Sequence, residues 1–419
     1  MTQLTPELVS EKENKTTTAR STSVRSVLKQ CLGGYKFIAI YSMNTLIALV
    51  LANIACHVIN QNLEKKDNQE KDKQALALFT EKYHDYTVPQ MKEIQKERRL
   101  QHQYEFAPYI GYKFRPEWRQ YLHITPAGFR WSTNNGPWPP SPKNLNVFVY
   151  GASTTFGPGL TDDETIPAQL QEFLKGKGDK PVMVYNFGTS GFNSTTERVQ
   201  FSNMLAQGLR PDIAIFIDGN VDSQFATDEP PLSNEMKEMM KDRGYGLLKA
   251  SQPFFHDLPM TKLLDKVRET ASRKTGHFTK IRFNKEQLDH IITRYTANKN
   301  LIEVQARAFG VKTLFVWQPC SSYKFNRAYH PFAEDFSHAD MVPSYELMAQ
   351  TVKKSPPQFT QDFLWLADIQ EGITEPCYVD DNHYRANLCK KIGISIGETL
   401  LDRHYLTKEV TPPVVSSKR

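Results

Sequence analysis

Two short segments of the chain carry side chains that could perform chemistry together. One reads Val149-Tyr-Gly-Ala-Ser153-Thr-Thr-Phe-Gly157, and the other, near the C-terminus, reads Asp380-Asp-Asn-His383. A serine hydroxyl is a poor nucleophile at neutral pH, so it needs a base within hydrogen-bond reach and a third group that orients the base. An Asp three residues before a His can present both side chains to one serine. The spacing therefore predicts Ser153 as nucleophile, His383 as base and Asp380 as the group that orients the base.

The residues before the serine predict the element that positions it. The run from Asn146 to Tyr150 is largely apolar and typical of a buried parallel strand, and Gly151 and Gly157 permit a sharp turn after it. Such a strand ends at the carboxyl edge of a sheet, where open α/β folds bind their ligands. We therefore expect Ser153 at that edge.

From residue 146 onward, strand-like and helix-like patterns alternate. Strands are predicted at 146–150, 182–187, 213–217 and 312–318, and helices at 164–175, 195–207, 285–309 and 386–401. Strands that alternate with helices form a parallel sheet covered on both faces. Residues 223–284 interrupt the pattern with Pro230-Pro231, a Met-rich patch and Phe254-Phe255, so they are predicted to be an insertion or a lid.

Four segments in chain order resemble the four sequence blocks of the SGNH (GDSL-type) hydrolases. They are Gly151-Ala-Ser-Thr-Thr-Phe-Gly157, Asn186-Phe-Gly-Thr-Ser-Gly191, Asp218-Gly-Asn-Val-Asp222 and Asp380-Asp-Asn-His383. The resemblance covers about residues 125 to 402 and implies a flavodoxin-like three-layer α/β/α sandwich with a parallel sheet. It also implies an activity, because the family consists mostly of esterases, lipases and carbohydrate O-deacetylases, with some acyltransferases. The segment 126–130, Pro-Ala-Gly-Phe-Arg, looks like the lead-in of membrane-anchored bacterial members.

Carried over position by position, the resemblance assigns a role to each matching residue. Ser153 matches the nucleophile, His383 the base and Asp380 the group that orients it. Gly191 matches the glycine whose backbone N–H helps to form the oxyanion hole, and the N–H of Ser153 supplies a second donor. The oxyanion hole is thus expected to comprise Ser153, Gly191 and Asn220. This chemistry requires no metal and no cofactor.

The third block departs from the family pattern. It usually reads Gly-x-Asn-Asp, whereas here Asn220 directly follows Gly219 and Val221 occupies the usual asparagine position. A donor aimed at the developing oxyanion is worth about 2.7–4 kcal/mol, so a lost donor would be costly. We expect a shifted loop in which Asn220 still points into the hole; the alternative is that this donor is missing. Ala152 in place of the commoner Asp is a smaller departure.

Each candidate also has a purely structural interpretation. Ser153 could cap a helix, because a serine after a strand commonly does so. Asp380 and Asp381 could cap the last helix, His383 could be a surface histidine, and Gly191 could be only a turn glycine. These interpretations would have to coincide at four ordered places, which favours catalysis. Within the catalytic interpretation, Asp381 is the alternative to Asp380 as the orienting carboxylate.

Composition sets the class of protein. The chain has 419 residues, of which 39% are hydrophobic and 23% charged, so it can bury a large core and is not a disordered protein. Its net charge of +6 arises from Lys and Arg scattered among nearly as many acids, with no basic block interleaved with aromatics. Nucleic-acid binding is therefore not expected.

The N-terminal residues predict a membrane anchor. Residues 1–36 are rich in Ser, Thr and charge and are predicted to be a flexible tail. Residues 37–63 contain no Lys, Arg, Asp or Glu, and about 20 apolar residues suffice to cross a bilayer as a helix. They are predicted to be a transmembrane helix; the alternative is a buried helix of a soluble protein. Because Lys and Arg outnumber Glu before the span, the N-terminus is expected in the cytoplasm.

The rest of the chain divides by charge pattern and by the resemblance. Residues 64–120 are predicted to be a charged stalk and lead-in, 121–405 the hydrolase-like domain with 223–284 as its insertion or lid, and 406–419 a C-terminal tail. Cys377 and Cys389 flank the Asp-His loop. A disulfide between them would brace this loop in an oxidising compartment, and two reduced thiols are the equal alternative.

These features combine into one hypothesis. The chain is predicted to be a membrane-anchored serine hydrolase that acts on ester bonds, as an esterase or a carbohydrate O-deacetylase, with an acylated carbohydrate or lipid ester as substrate. The resemblance to membrane-anchored bacterial members implies a single-pass protein of the inner membrane, with its catalytic domain facing the periplasm or the exterior. Two alternatives stay open. The same three residues would serve an O-acyltransferase on an envelope glycan, and the irregular third block fits a non-catalytic glycan-binding protein.

Overall fold

The structure, a computed structural model, describes most of the chain. It covers residues 7–82, 86–100, 103–133, 135–227, 258–274, 282–330, 340–354 and 357–407, with side chains except at 7–26, 28, 67–82, 99–100, 268–274 and 358. The chain divides into two compact units, Met1–Glu70 with Arg243–His277 and Lys71–Asp242 with Phe278–Arg419. The Met-rich patch and the Pro-Pro and Phe-Phe pairs of the predicted insertion lie outside the described residues.

Helices and strands follow one another along the chain in the order expected of an α/β protein. The helices are α1 (Glu7–Lys82), α2 (Val88–Leu100), α3 (Ser153–Phe156), α4 (Ile166–Leu174), α5 (Ser194–Ala206), α6 (Asn220–Gln224), α7 (Pro259–Lys274), α8 (Lys285–Ala308), α9 (Val342–Lys353) and α10 (Ala386–Asp402). The strands are β1 (Tyr104–Ala107), β2 (Gly111–Phe114), β3 (Glu117–Trp118), β4 (His123–Ile124), β5 (Leu145–Gly151), β6 (Val182–Asn186), β7 (Ile213–Asp218), β8 (Lys312–Trp317) and β9 (Phe363–Trp365). Each strand and helix predicted from residue 146 onward is present, and no end moves by more than two residues.

The second unit is built on a five-stranded parallel sheet. Its strand order is β6-β5-β7-β8-β9, and all neighbouring pairs run parallel. Counted within the sheet, this is the order 2-1-3-4-5 of flavodoxin-like folds, which bind ligands at the carboxyl ends of the strands where the order reverses. That point lies between β5 and β7. The predicted flavodoxin-like parallel sheet is confirmed.

Side chains of the sheet alternate between two cores, because successive strand residues point to opposite faces. Val147 and Val149 of β5 join a mainly aliphatic core with α4 and α10. Phe148 and Tyr150 join a core with α5, α8 and α9 that is rich in aromatic rings. In that second core the Tyr150 and Phe216 rings stack with centroids 4.9 Å apart. Helices therefore cover both faces of the sheet, as a three-layer sandwich requires.

The segment before the sheet packs onto the same unit. β1 pairs with β2 and β3 with β4, both antiparallel, and α2 buries Met91, Ile94 and Glu97. The Glu97 carboxylate accepts the backbone N–H of Gln120 at 2.8 Å and of Tyr121 at 3.0 Å. The composition predicted a charged stalk and lead-in over 64–120. In the structure, one face of the charged helix α2 is buried. The predicted boundaries at residues 64 and 120 stay predictions.

The first unit contains most of the long helix α1. It runs without a break through the predicted tail and span and into the predicted stalk, since no proline occurs between residues 7 and 82. Its segment Lys29–Lys66 has a mean hydropathy of 1.9 and is long and apolar enough to cross a membrane. Near the end of that segment, Asn60 Nδ2 donates to the Pro259 carbonyl of α7 at 2.8 Å. The predicted boundaries at residues 36 and 63 stay predictions.

The cysteines of the second unit are free thiols. Cys377 and Cys389 are both fully buried, and the structure joins neither to another cysteine among the described residues. Burial raises the pKa of Cys377 to about 12, so its thiol is protonated at neutral pH. The bridge that was one of the two predicted alternatives is therefore not formed here, and hydrogen bonds brace the Asp-His loop instead.

Candidate active site

Ser153 begins helix α3 directly after strand β5. The strand is buried along its whole length and ends at Gly151, where a Cβ atom would lie 2.1 Å from Thr155 Oγ1 and 3.1 Å from the Ile217 carbonyl oxygen. A glycine is therefore needed for α3 to fold back this close to the sheet. Ala152, rather than Ser153, occupies the N-cap position of α3, and no side-chain capping bond is made there. Ser153 is not the capping residue of this helix.

A short loop between β9 and α10 carries the acid and the base. An antiparallel bridge pairs Tyr378 with Tyr384, and the Val379 N–H donates to the His383 carbonyl at 2.8 Å. The Tyr384 hydroxyl donates to Gln318 Oε1, just after β8, at 2.8 Å. These contacts close the loop on itself and fasten it to the carboxyl edge of the sheet.

Ser153, His383 and Asp380 form one chain of hydrogen bonds. Ser153 Oγ lies 2.8 Å from His383 Nε2, and His383 Nδ1 lies 2.7 Å from Asp380 Oδ2. The Ser153 O–H donates to Nε2 when the imidazole proton is on Nδ1, and Nδ1–H then donates to the carboxylate. The structure thus brings together the three residues that the sequence singled out, at distances that suit a general base.

The Asp380 carboxylate receives four hydrogen bonds. Its Oδ1 accepts the backbone N–H of Asn382 at 2.8 Å and of His383 at 2.6 Å. Its Oδ2 accepts His383 Nδ1–H and also pairs with the guanidinium of Arg98 from α2. Burial alone would raise the pKa of Asp380, but the charge and hydrogen bonds of His383 and the charge of Arg98 outweigh burial and hold that pKa well below its usual range. Asp380 is therefore ionised and fixed in orientation.

Asp381, the alternative orienting carboxylate, is placed differently. Its backbone carbonyl accepts the Ser321 hydroxyl at 2.5 Å, and its charge acts on the buried His330. His383 Nδ1 is directed to Asp380 instead. The geometry favours Asp380 over Asp381 as the group that orients the imidazole.

The loop after β6 brings Gly191 to the same edge of the sheet. The Thr189 N–H donates to the Gly151 carbonyl at 2.9 Å, so the loop runs beside the end of β5. Gly191 has a φ of 78°, a left-handed conformation that glycine adopts without steric cost. The backbone N–H groups of Ser153 and Gly191 have no hydrogen-bond acceptor among the described residues. Both donors are thus available, as an oxyanion hole requires.

Asn220 is fully buried at the start of α6, directly after β7. Its Nδ2 donates to Asn382 Oδ1 at 2.5 Å, and its Oδ1 accepts Gln224 Nε2 at 2.7 Å. The shifted third block therefore still brings an amide to the residue next to His383. One of the two N–H groups on Nδ2 is used in that contact, and the other has no acceptor among the described residues.

Acids flank Asn220 in the chain. Asp218 and Asp222 lie on either side of it, and the charges of both act on the buried Glu197 of α5. Burial, followed by the charge of neighbouring acids, holds the pKa values of Glu197 and Asp218 well above their ordinary range. The cation Arg294 faces this layer, since its Nη2 lies 3.9 Å from Asp222 Oδ1. In the part of the chain that the structure describes, no group of three or more His, Cys, Asp or Glu could hold a metal ion.

Two residues at the site were missed by sequence reasoning. Arg98 lies 282 positions before Asp380, and no local pattern marks it. Asn382 directly precedes His383 in the chain. Its residue type could have indicated a structural role, because Asn side chains often anchor tight loops. Its link to Asn220 joins the third and fourth sequence blocks.

Arg130, from the lead-in segment, supports the turn that carries the serine. Its fully buried guanidinium donates to the carbonyl oxygens of Gly157 at 2.6 Å and Leu160 at 2.7 Å. Its Nε donates to Asp162 Oδ1 at 2.8 Å. The lead-in thus fixes the chain that leaves α3.

Several solved structures are similar to this chain. Some are GDSL-type hydrolases. A GDSL-like lipase from Bacteroides thetaiotaomicron is 12% identical, with 64% of this chain and 90% of the lipase covered and a TM-score of 0.32. TesA is 14% identical, with 62% of this chain and 99% of TesA covered and a TM-score of 0.34. The esterase EstA from Pseudoalteromonas is 10% identical, with 62% and 96% covered and a TM-score of 0.29.

No known protein-family profile and no curated protein matches the chain. At these identities and TM-scores, the similar structures carry no argument about the family or the activity of this chain. The case for an activity rests on the distances within the site.

Proposed function

We propose that the chain is a serine hydrolase that acts on ester bonds. One observation carries the proposal: Ser153 Oγ lies 2.8 Å from His383 Nε2, and His383 Nδ1 lies 2.7 Å from Asp380 Oδ2. A base within about 2.6–3.2 Å of a hydroxyl, itself held by a carboxylate, is the arrangement that activates a serine nucleophile.

The first half of the reaction forms an acyl-enzyme. Ser153 Oγ attacks the carbonyl carbon of the ester while its proton moves to His383 Nε2, which gives a tetrahedral intermediate. The ionised Asp380 stabilises the imidazolium that results. The carbon–oxygen bond to the alcohol then breaks, and the leaving oxygen takes the proton from Nε2.

The second half releases the acyl group. A water molecule gives its proton to His383 Nε2 and attacks the acyl carbon, Ser153 Oγ leaves and regains a proton, and a carboxylic acid is produced. If the hydroxyl of a sugar took the place of water, the same steps would make an O-acyltransferase. We propose hydrolysis as the leading activity, with an acylated carbohydrate or a lipid ester as the substrate class.

Three donors would stabilise the oxyanion. The backbone N–H groups of Ser153 and Gly191 and the second Nδ2 proton of Asn220 have no acceptors among the described residues. Each such donor is worth about 2.7–4 kcal/mol in the transition state. Their availability, together with the ionised Asp380, favours chemistry over the non-catalytic glycan-binding role that the irregular third block suggested.

We further propose that α1 anchors the enzyme in a membrane. The support is the length and composition of the segment Lys29–Lys66 and the excess of basic over acidic residues before it. These features favour a cytoplasmic N-terminus. The hydrolase unit would then act outside the cytoplasm, facing the periplasm or exterior of a bacterial cell.

Fluorophosphonate labelling tests the proposal. In this reaction Ser153 Oγ attacks phosphorus, fluoride leaves, and His383 takes the proton, so only an activated serine is modified. Full-length protein in detergent should carry the label on Ser153, identified by peptide mass spectrometry. Ser153→Ala should abolish the label, and His383→Ala should slow it by about 10²-fold or more. A membrane-impermeant probe added to spheroplasts should reach the same serine.

Ser202→Ala provides the control, because Ser202 lies on α5 and its hydroxyl contacts Arg198 and Gln305 rather than the site. This variant should be labelled like wild type. An unlabelled wild-type protein with a native near-UV circular dichroism spectrum would overturn the proposal in favour of glycan binding. A label that persists in Ser153→Ala would assign the activated nucleophile to another residue.

A further inference from the structure

Helix α2 reaches the candidate site from a distant part of the chain. It is fixed on the hydrolase unit by buried Met91 and Ile94 and by the Glu97 carboxylate, which accepts two backbone N–H groups. The next residue, Arg98, pairs with Asp380 Oδ2. The place of Arg98 is therefore set by a buried anchor one residue away.

Arg98 acts on the same oxygen that holds the imidazole. Asp380 Oδ2 accepts both His383 Nδ1–H and the Arg98 guanidinium. The side chains of Arg98 and Asp380 are 24% and 18% exposed, so water screens their interaction only in part. A charge-assisted bond of this kind holds the carboxylate more firmly than a neutral one.

The same cation also has an electrostatic effect on the base. A positive charge beside the Asp380–His383 pair opposes the positive charge that develops on the imidazole when it takes a proton, whereas the carboxylate alone favours that charge.

The other charged or titratable groups near the Asp380–His383 pair do not supply the positive charge that Arg98 supplies. Asp381 in the same loop is acidic, and His330 lies after β8 against the loop. Burial lowers the pKa of His330 to about 4, so it is neutral above that pH. Arg327 acts on His330. Among the described residues, Arg98 is the cation bonded to the carboxylate.

We propose that Arg98 is a positioning residue of the hydrolase site: from helix α2 it holds the Asp380 carboxylate in place and sets a positive charge beside the Asp380–His383 pair. This inference rests on the proposed function, since it deepens the account of the same site. The composition showed only that the segment before the sheet is charged. Through Arg98, helix α2 of this segment takes part in the chemistry.

The test measures the rate constant for fluorophosphonate labelling of Ser153 from pH 5 to pH 9 in full-length protein in detergent. Arg98→Gln should lower the plateau rate about tenfold, because the carboxylate is held less firmly. It should also move the midpoint of the pH profile upward, because a positive charge beside the imidazole is lost. Arg98→Lys keeps the charge and should restore the wild-type midpoint. Lys96→Gln removes an equal charge from an exposed position of the same helix and should match wild type.

A second readout separates this proposal from the proposed function. The imidazole ¹³Cε1 chemical shift of His383, assigned with His383→Ala and followed from pH 4 to pH 9, reports the same midpoint without any probe. An upward shift in Arg98→Gln supports the role of Arg98 even if the wild-type serine is not labelled. An unchanged midpoint in folded Arg98→Gln, whatever its rate, overturns the proposal and leaves Arg98 a structural contact.

A double variant shows whether Arg98 works through the carboxylate. In an Asp380→Asn background, Arg98→Gln should change the imidazole midpoint by less than half as much as it does in wild type. A full shift in that background would mean that Arg98 acts on His383 independently of Asp380, contrary to the proposal.

Discussion

Asp380 and Asp218 both lie at the carboxyl edge of one sheet, yet their surroundings favour opposite protonation states. Asp380 receives two backbone N–H bonds, the His383 Nδ1–H and the Arg98 guanidinium, and its pKa is held well below the usual range. Asp218 ends β7 in a buried layer of acids, and burial, with the charge of Asp222, holds its pKa well above the usual range.

The difference shows that residue type does not assign a role at this edge. A carboxylate surrounded by donors is ionised and can stabilise a charged imidazole, whereas a carboxyl buried among acids keeps its proton and can only donate or accept a neutral hydrogen bond. The hydrolase site would use the first kind. The second kind ends β7, two residues before Asn220.

The largest expected difference between the two carboxyls appears when each is replaced by its amide. Asp380→Asn keeps the shape but presents an N–H or a neutral oxygen to His383 Nδ1, so the tautomer is no longer fixed and labelling of Ser153 should slow by about 10⁴-fold. Asp218→Asn replaces a protonated carboxyl by a group of similar shape and hydrogen-bonding capacity. Its labelling rate should stay within about threefold of wild type.

Near-UV circular dichroism of both variants provides the control for folding. If the two substitutions slowed labelling equally while both proteins stayed folded, the contrast drawn between the two carboxyls would be wrong. A folded Asp380→Asn with a wild-type rate would remove Asp380 from the proposed mechanism.

The buried acids should also make stability depend on pH. A carboxyl whose pKa is raised in the folded state binds a proton that the unfolded chain has lost above about pH 5, so the free energy of unfolding falls as pH rises. Each such proton contributes a slope of about 1.4 kcal/mol per pH unit. Glu197→Gln removes one such group, so the free energy of unfolding should fall less steeply with pH, by about 1.4 kcal/mol per pH unit. Urea unfolding in detergent between pH 5 and pH 8 measures this slope.

Glu172→Gln is the matched control, because Glu172 lies on α4 with a side chain that is 60% exposed. Its slope should equal that of wild type. A Glu197→Gln protein with an undiminished slope would show that Glu197 is ionised in the fold, contrary to the protonation state inferred from burial.

The sequence predicted the parts of this molecule that depend on local pattern. The strands of the sheet from β5 to β8 are five to seven residues long and mostly apolar, and their period and flanking turns can be read directly. Ser153 and the Asp380–His383 pair were found because each stands in a short segment next to such an element. The three-residue strand β9 is too short to show a period, and it was missed.

The parts that could not be predicted depend on contacts between distant residues. Arg98 and Asp380 are 282 positions apart, and the pairing exists only because Met91, Ile94 and Glu97 bury one face of α2. The charge of α2 suggested a charged stalk, since three buried positions in a short charged helix are a weak pattern. The bond between Asn220 and Asn382 likewise joins two loops 162 positions apart.

The smallest expected effect concerns Asp381, the carboxylate that the sequence left as an alternative to Asp380. Its backbone carbonyl is bonded to Ser321, and His383 Nδ1 is directed at Asp380. Asp381→Asn removes one negative charge near the site without touching the orienting bond, so the labelling rate of Ser153 should fall by less than about threefold. Asp380→Asn, measured in the same series, supplies the opposite extreme. If Asp381→Asn slowed the labelling of Ser153 as much as Asp380→Asn does, the imidazole would have to change its carboxylate partner during the reaction. The contrast between Asp380 and Asp218 would then be incomplete, because Asp381 would also act on the base.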